Sequence, residues 1–94
     1  MWYVYLIQYS VTKTFYVGMT GDLKRRFKEH NAGQNSSTSR RDGEWMLAYY
    51  ESYVSKSDAQ KREKSLKHHG RARQELMKRI EDSLLKIQSG AGNA

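Results

Sequence analysis

The chain contains no cysteine and no proline, and acidic residues are in the minority. Without cysteine there can be no disulfide framework and no thiolate metal site, and the cytoplasm is the expected compartment. No stretch reaches the roughly 18 consecutive apolar residues that a membrane span needs. The N-terminal MWYVYLIQYS lacks both a basic n-region and a cleavage site, so it reads as a strand rather than a signal peptide. There is no internal repeat and no linker. The expectation is one domain over residues 1–88, followed by a disordered SGAGNA tail at 89–94.

What the chain has is basic charge and tyrosine. Seventeen Lys and Arg stand against ten Asp and Glu, a net charge of +7. Such a surface attracts polyanions, because neutralising phosphates releases condensed counterions. The basic residues do not lie opposite a broad apolar face, which disfavours a membrane surface as the partner. Seven Tyr and two Trp supply part of the core that a 94-residue chain can bury.

Residues 2–9 (WYVYLIQY) are dense in aromatic and β-branched types and apolar almost without interruption, as suits a central strand covered on both faces. SVTKT predicts a turn and TFYVG a second strand ending at Gly18, so that the two form a hairpin. Asp22 is placed to cap a helix from about Leu23 to Asn31 that stops near Gly33, with Leu23 and Phe27 facing the core. Arg26 and His30 make a second i,i+4 pair on the same helix, about a quarter turn from the first. Residues 32–44 are polar and Gly-containing and read as a mobile loop suited to phosphate contact. Residues 45–53 (WMLAYYESY) read as a third strand. Ser57 with Gln60 fits a capping box opening a helix to about His69, stopped by Gly70. Its inward stripe holds Ala59, Glu63 and Leu66. A carboxylate there needs a cation, a metal or a donor, since burying it unpaired costs several kcal/mol in order of magnitude. A last helix from about Ala72 to Gln88 carries Leu76, Met77, Ile80, Leu84 and Ile87 on one face. It packs on the sheet or, alternatively, joins a protein partner or a second copy. The fold class is α+β: a three-stranded, mainly antiparallel sheet flanked by helices, in the order ββαβαα.

Tyr3-Val4-Tyr5, followed about ten residues later by Tyr16-Val17-Gly18, resembles the paired signature of the GIY-YIG nucleases. The resemblance continues in order through Gly21–Gly33, Trp45–Glu51 and Ala59–Lys67, and so spans about residues 2–70. It departs from the family at Tyr3, where the first motif has Gly, at Val4 and Val17, and at Met19, where some members carry Lys. An Asn found late in some members has no match. By this resemblance, Tyr5 and Tyr16 are the signature tyrosines, Arg26 the helix arginine, His30 the histidine one turn later and Glu63 the metal-binding glutamate. The family includes homing endonucleases, restriction enzymes and the incision subunit of bacterial excision repair, so the implied substrate is DNA and the implied cofactor Mg²⁺ or Mn²⁺. Whether RNA is also cut stays open.

Phosphodiester hydrolysis needs a water nucleophile, stabilisation of charge on the phosphoryl oxygens and help for the leaving oxygen. Glu63 can hold one divalent ion that keeps most of its waters. Arg26 offers a planar, permanently charged fork to non-bridging oxygens. One tyrosine is the candidate general base and the other its orienting partner, while His30 positions water or relays a proton. The sequence does not choose between Tyr5 and Tyr16. Lys24, Arg25, Lys28, Arg40 and Arg41 are the candidate rim for the nucleic-acid backbone. The alternatives are a non-catalytic nucleic-acid-binding module of the same fold, or an interaction subunit that works through its last helix.

Overall fold

The computed structural model describes residues 1–33 and 43–89. Its sheet has the order β2-β1-β3, with β1 (Trp2–Tyr9) between β2 (Phe15–Thr20) and β3 (Trp45–Tyr53), antiparallel to both. The central place of β1 explains its uninterrupted apolar run: Val4 through Tyr9 are all buried. A strand covered on both faces has no solvent side on which to alternate. The order of elements begins ββαβ, and an α+β domain results.

The pleat separates two layers. Val4 and Leu6 of β1 and Val17 of β2 join Ala59 and Leu66 of α2 (Lys56–His68), Leu76 of α3 (Gly70–Arg79) and the adjoining Ile80 in the main core. The opposite face presents Tyr3, Tyr5, Ile7 and Tyr9. In register with them are Gly18 and Tyr16 of β2, and Tyr50, Leu47 and Trp45 of β3, with a bulge between Leu6 and Ile7. Helix α1 (Leu23–Asn31) lies over that second face, and the candidate site forms beneath it.

Asp22 caps α1 as expected, its side chain accepting a hydrogen bond from Arg25 N–H, and Gly33 follows with φ +76°. Three local expectations are corrected. The cap of α2 is Ser55 rather than Ser57: Ser55 is still extended and accepts from Asp58 N–H, the same three-residue spacing set two residues earlier. Gly70 does not stop a helix but begins α3, and the chain turns at His69, which is extended. The span 72–88 is broken at Ile80 (φ −108°, ψ 22°) into α3 and α4 (Glu81–Gln88). The apolar stripe runs through the break, which is why periodicity alone shows one helix. Burial of Ile80 in the core turns the chain there, and α4 comes back against β3. Leu84 and Ile87 are thereby half-buried on the domain, and Leu85 is the exposed leucine of α4. The proposed loop contacts of Arg40 and Arg41, and most of the 89–94 tail, lie outside the described residues.

Candidate active site

Helix α1 buries a single residue, His30. Leu23 and Phe27, expected in the core, are half-buried and border a cavity instead. The reason lies in β1: the sheet face under this helix carries polar-tipped tyrosines, and Tyr5, 2 % exposed, needs a partner for its hydroxyl. His30 Nε2 is that partner, 2.9 Å from the Tyr5 hydroxyl oxygen. Burial, together with the neighbouring Arg26 charge, lowers the His30 pKa, while burial raises that of Tyr5. A neutral phenol and a neutral imidazole therefore share one hydrogen bond, whose direction is set by the imidazole tautomer. The Arg26 guanidinium, which has only donors, also interacts with the Tyr5 hydroxyl, and less strongly with that of Tyr16. Arg26 donates further to Glu29 at 3.2 Å, which fixes its long side chain over the site.

Tyr16, paired with Ile7 across the hairpin, is the exposed member at 37 %. Its ring lies 6.3 Å from that of Tyr5 and 4.8 Å, edge to face, from the His30 imidazole. Trp45 packs against both Tyr16 and His30 at 6.3 and 6.1 Å and closes the back of the cluster. Glu63 enters from α2. Its carboxylate is 3.2 Å from Lys67 Nζ, and that ammonium sits 5.8 Å from the centre of the Tyr16 ring. The charge of Glu63 is also felt at Tyr5. The partner its inward position demands is thus Lys67, one turn on.

Of the expected residues, the structure brings Tyr5, Tyr16, Arg26, His30 and Glu63 to one end of the sheet. Lys24, Arg25 and Lys28 lie on the exposed side of α1, with Arg25 held 3.5 Å from Glu29. The sequence reading missed Lys67, Trp45 and Glu29. Lys67 and Glu29 could have been found as i,i+4 and i,i+3 partners of residues already singled out, whereas nothing local marks Trp45.

A second acid cluster lies on the helical side of the sheet. Glu51 accepts from Tyr49 at 2.5 Å, from Tyr53, and from Arg62 Nε at 2.7 Å. Burial works to raise its pKa, but the three donors outweigh burial and hold it low; Tyr53, half-buried beside the carboxylate, is pushed up to about 12. Both oxygens of Glu51 are taken by protein donors. Glu63 has one ion pair and a side chain 26 % exposed, so it is the acid able to take a hydrated cation. Among the described residues no group of three His, Cys, Asp or Glu converges. The donor set around Glu63 fits a Mg²⁺-like ion that keeps most of its water rather than zinc, which takes four close nitrogen, sulfur or carboxylate donors.

Two predictions follow from this geometry. A Cβ on Gly18 would fall inside the Tyr5 ring, 2.9 Å from Cε1 and closer still to the hydroxyl. The close approach that Gly18 permits is therefore by this ring, and the buried ring has no room to retreat. Gly18→Ala is expected to cost about 1–3 kcal/mol, lowering Tm by roughly 4–8 °C per kcal/mol. An unchanged melting curve would contradict the packing. The second concerns pH. The folded His30 pKa lies below its ordinary 6.5, so between those values the unfolded chain binds more protons and stability falls on acidification. Tyr5 and Tyr53 act in the opposite range: their raised pKa values give stability that is present below pH 10 and lost as pH rises toward 12. Thermal melts should show a fall in Tm from about pH 7 to about pH 5 that is smaller in His30→Asn; equal slopes would contradict a buried neutral His30.

The chain matches the model of the GIY-YIG catalytic domain over residues 1–79. It is 40 % identical to a UPF0213 protein of Halobacterium salinarum over 77 residues, covering 82 % of this chain and 99 % of that one. It is 31 % identical to a UPF0213 protein of Vibrio campbellii over 99 % of this chain and 86 % of that one. The solution NMR structure of a UPF0213 protein from Bacillus halodurans superposes with a TM-score of 0.54 at 27 % identity, covering 93 % of this chain and 97 % of that one. The family match supports a nuclease-type function acting on nucleic acid. The chain belongs to the GIY-YIG catalytic domain family, alongside the UPF0213 proteins.

Proposed function

We propose that this protein is a divalent-metal-dependent endonuclease that hydrolyses DNA phosphodiester bonds with one metal ion and a tyrosine general base. The observation that carries the reading is a convergence of side chains. The Tyr16 ring lies 6.3 Å from Tyr5 and 4.8 Å from His30, and His30 Nε2 is 2.9 Å from the Tyr5 hydroxyl. Arg26 is close enough to both tyrosines for them to shift its pKa, and Glu63 faces Tyr16 from another helix through Lys67. A phosphate placed between them meets a fork of donors on one side and a carboxylate able to hold Mg²⁺ or Mn²⁺ on the other. Bound there, the ion supplies Lewis-acid stabilisation of charge on the phosphoryl oxygens.

The two tyrosines divide the remaining work by exposure. Tyr16 reaches solvent; having first released its own hydroxyl proton to bulk water, it takes the proton from the attacking water. Tyr5 is buried, has a raised pKa and is hydrogen-bonded to His30, which suits it to an orienting rather than a solvent-linked proton-accepting role. His30 acts as a positioning residue, holding the Tyr5 hydroxyl in line. Arg26 stabilises the non-bridging oxygens. Lys24, Arg25 and Lys28 contact the strand's phosphates and position it without reading sequence; Arg40 and Arg41 complete that rim by charge. Cytoplasmic DNA turnover or repair is the setting such an activity fits.

The test is a panel of nicked, branched, single-stranded and duplex DNA incubated with the protein in Mg²⁺, Mn²⁺ or EDTA. Cleavage with either ion and none in EDTA is the expected result. Salt-sensitive binding with no cleavage of any member would instead make the protein a non-catalytic nucleic-acid-binding module.

A further inference from the structure

A cavity beside the site has no role in the chemistry above. It measures about 500 Å³ and lies between the start of α1 and the tyrosine face of the sheet, within the range of roughly 300–1,000 Å³ common for small-ligand clefts. Tyr3 and Tyr50 form one corner, their rings 5.9 Å apart at 63°. Leu23, Phe27 and Leu47 supply apolar walls, and Lys24 stands exposed at the mouth. Tyr50 is 51 % exposed, a large ring left open to water on the sheet face where Tyr5 and Tyr9 are buried.

We propose that this cavity receives an unpaired nucleobase of the strand being cut. The occupant follows from three features. A flat aromatic corner binds a flat aromatic ligand by stacking, which tolerates any base because every base has a π-face. Lys24 shares the rim of a mainly apolar cavity with Asp22, whose carboxylate caps α1 by accepting from Arg25 N–H; the lysine suits a ligand with an apolar body and a phosphate on its edge, and the chain as a whole carries +7. Position is the third: Tyr3 and Tyr5 are two residues apart on one face of β1, about 7 Å at 3.3 Å per residue, so the cavity is one nucleotide's reach from the Tyr5–Arg26 cluster. A base inside a duplex is stacked on both faces and paired along its edge, so it cannot enter without being extruded at the cost of unstacking. The substrate class that fits is therefore DNA with a single-stranded segment beside the scissile phosphate, such as a gap, flap or loop. Tyr3, where the family signature has glycine, contributes the inner wall.

This inference rests on the nuclease reading for its biological sense, but its test does not need cleavage. The probe is a short single-stranded oligonucleotide containing 2-aminopurine, mixed with the full chain in EDTA, alongside a hairpin duplex of the same sequence. Binding should quench the 2-aminopurine emission through stacking. Tyr50→Ala should weaken single-strand affinity by roughly tenfold or more, remove most of the quench and lower the preference for single strand over duplex. Tyr50→Phe should restore all three. Because Tyr50 is half exposed, its variants can be checked for an unchanged melting curve, and Tyr3→Ala provides an independent second wall. Unquenched binding, or a single-strand affinity within about twofold of wild type in both alanine variants, overturns the proposal. If the quench depends on Tyr50 but no DNA is cut with Mg²⁺, the nuclease reading fails and the base site stands. If DNA is cut but neither alanine variant matters, the base site fails alone.

Discussion

Arg26→Ala is expected to slow DNA cleavage by about 10³-fold or more while changing DNA affinity little. The size follows from where the guanidinium sits. On the proposed reading, the exposed lysines and arginines elsewhere on α1 would meet the strand's phosphates through solvent, each replaceable by its neighbours. Arg26 lies near Tyr5 and Tyr16 and is paired with Glu29, its side chain 32 % exposed, so its donors would already be aimed as charge builds on a phosphate bound there. Removing one preorganised donor of this kind costs about 10²–10³ in rate, and arginines that stabilise phosphoryl transfer are worth about 10³–10⁵. Arg26→Lys should recover little, since a point charge cannot reproduce a fork shared between two hydroxyls and a phosphate. Single-turnover rates measured beside equilibrium binding would check this. A loss confined to affinity would instead place Arg26 on the binding rim.

The contrast between the two half-buried acids sharpens the assignment of Glu63. Glu51 is the more tightly held, yet its oxygens are occupied by Tyr49, Tyr53 and Arg62, and it faces the helical side of the sheet. Among the described residues, the ion pair of Glu63 is with a neighbour on its own helix. An i,i+4 ion pair is worth a few tenths of a kcal/mol, small against what a divalent ion gains from a carboxylate and a phosphate together. Lys67 in that position keeps the carboxylate turned toward Tyr16.

Much of the fold could be read from the sequence because its signals are local. The apolar run of β1, the extended WMLAYYESY block and the Asp22 cap each depend on residues close together in the chain, and all three match the observed elements. The misreadings came where tertiary contacts decide. Ser55 and Ser57 are equally good caps in isolation, and the end of β3 together with burial of Ala59 selects the first. The helix from 72 to 88 has an unbroken stripe, and only packing of Ile80 breaks it. Leu23 and Phe27 have core spacing, but a polar-tipped tyrosine face beneath them leaves a cavity. The candidate site was legible for a different reason: its residues come from four of the five blocks whose order carries the family resemblance. What that order could not show was how they are linked, since Trp45, Lys67 and Glu29 join the set through space. Nor could it divide the work of the two tyrosines, which depends on 2 % against 37 % exposure.

The most direct test is Glu63→Gln, a change that keeps the shape of the side chain and removes its charge. On the proposed reading Glu63 is the carboxylate that would anchor the divalent ion, so the reaction should fall to background without its charge. With supercoiled and single-stranded DNA in Mg²⁺, wild-type protein is expected to cut, and the variant to show no cleavage above the EDTA control while keeping the wild-type melting temperature and DNA affinity. A folded Glu63→Gln protein that cuts at the wild-type rate would contradict the account.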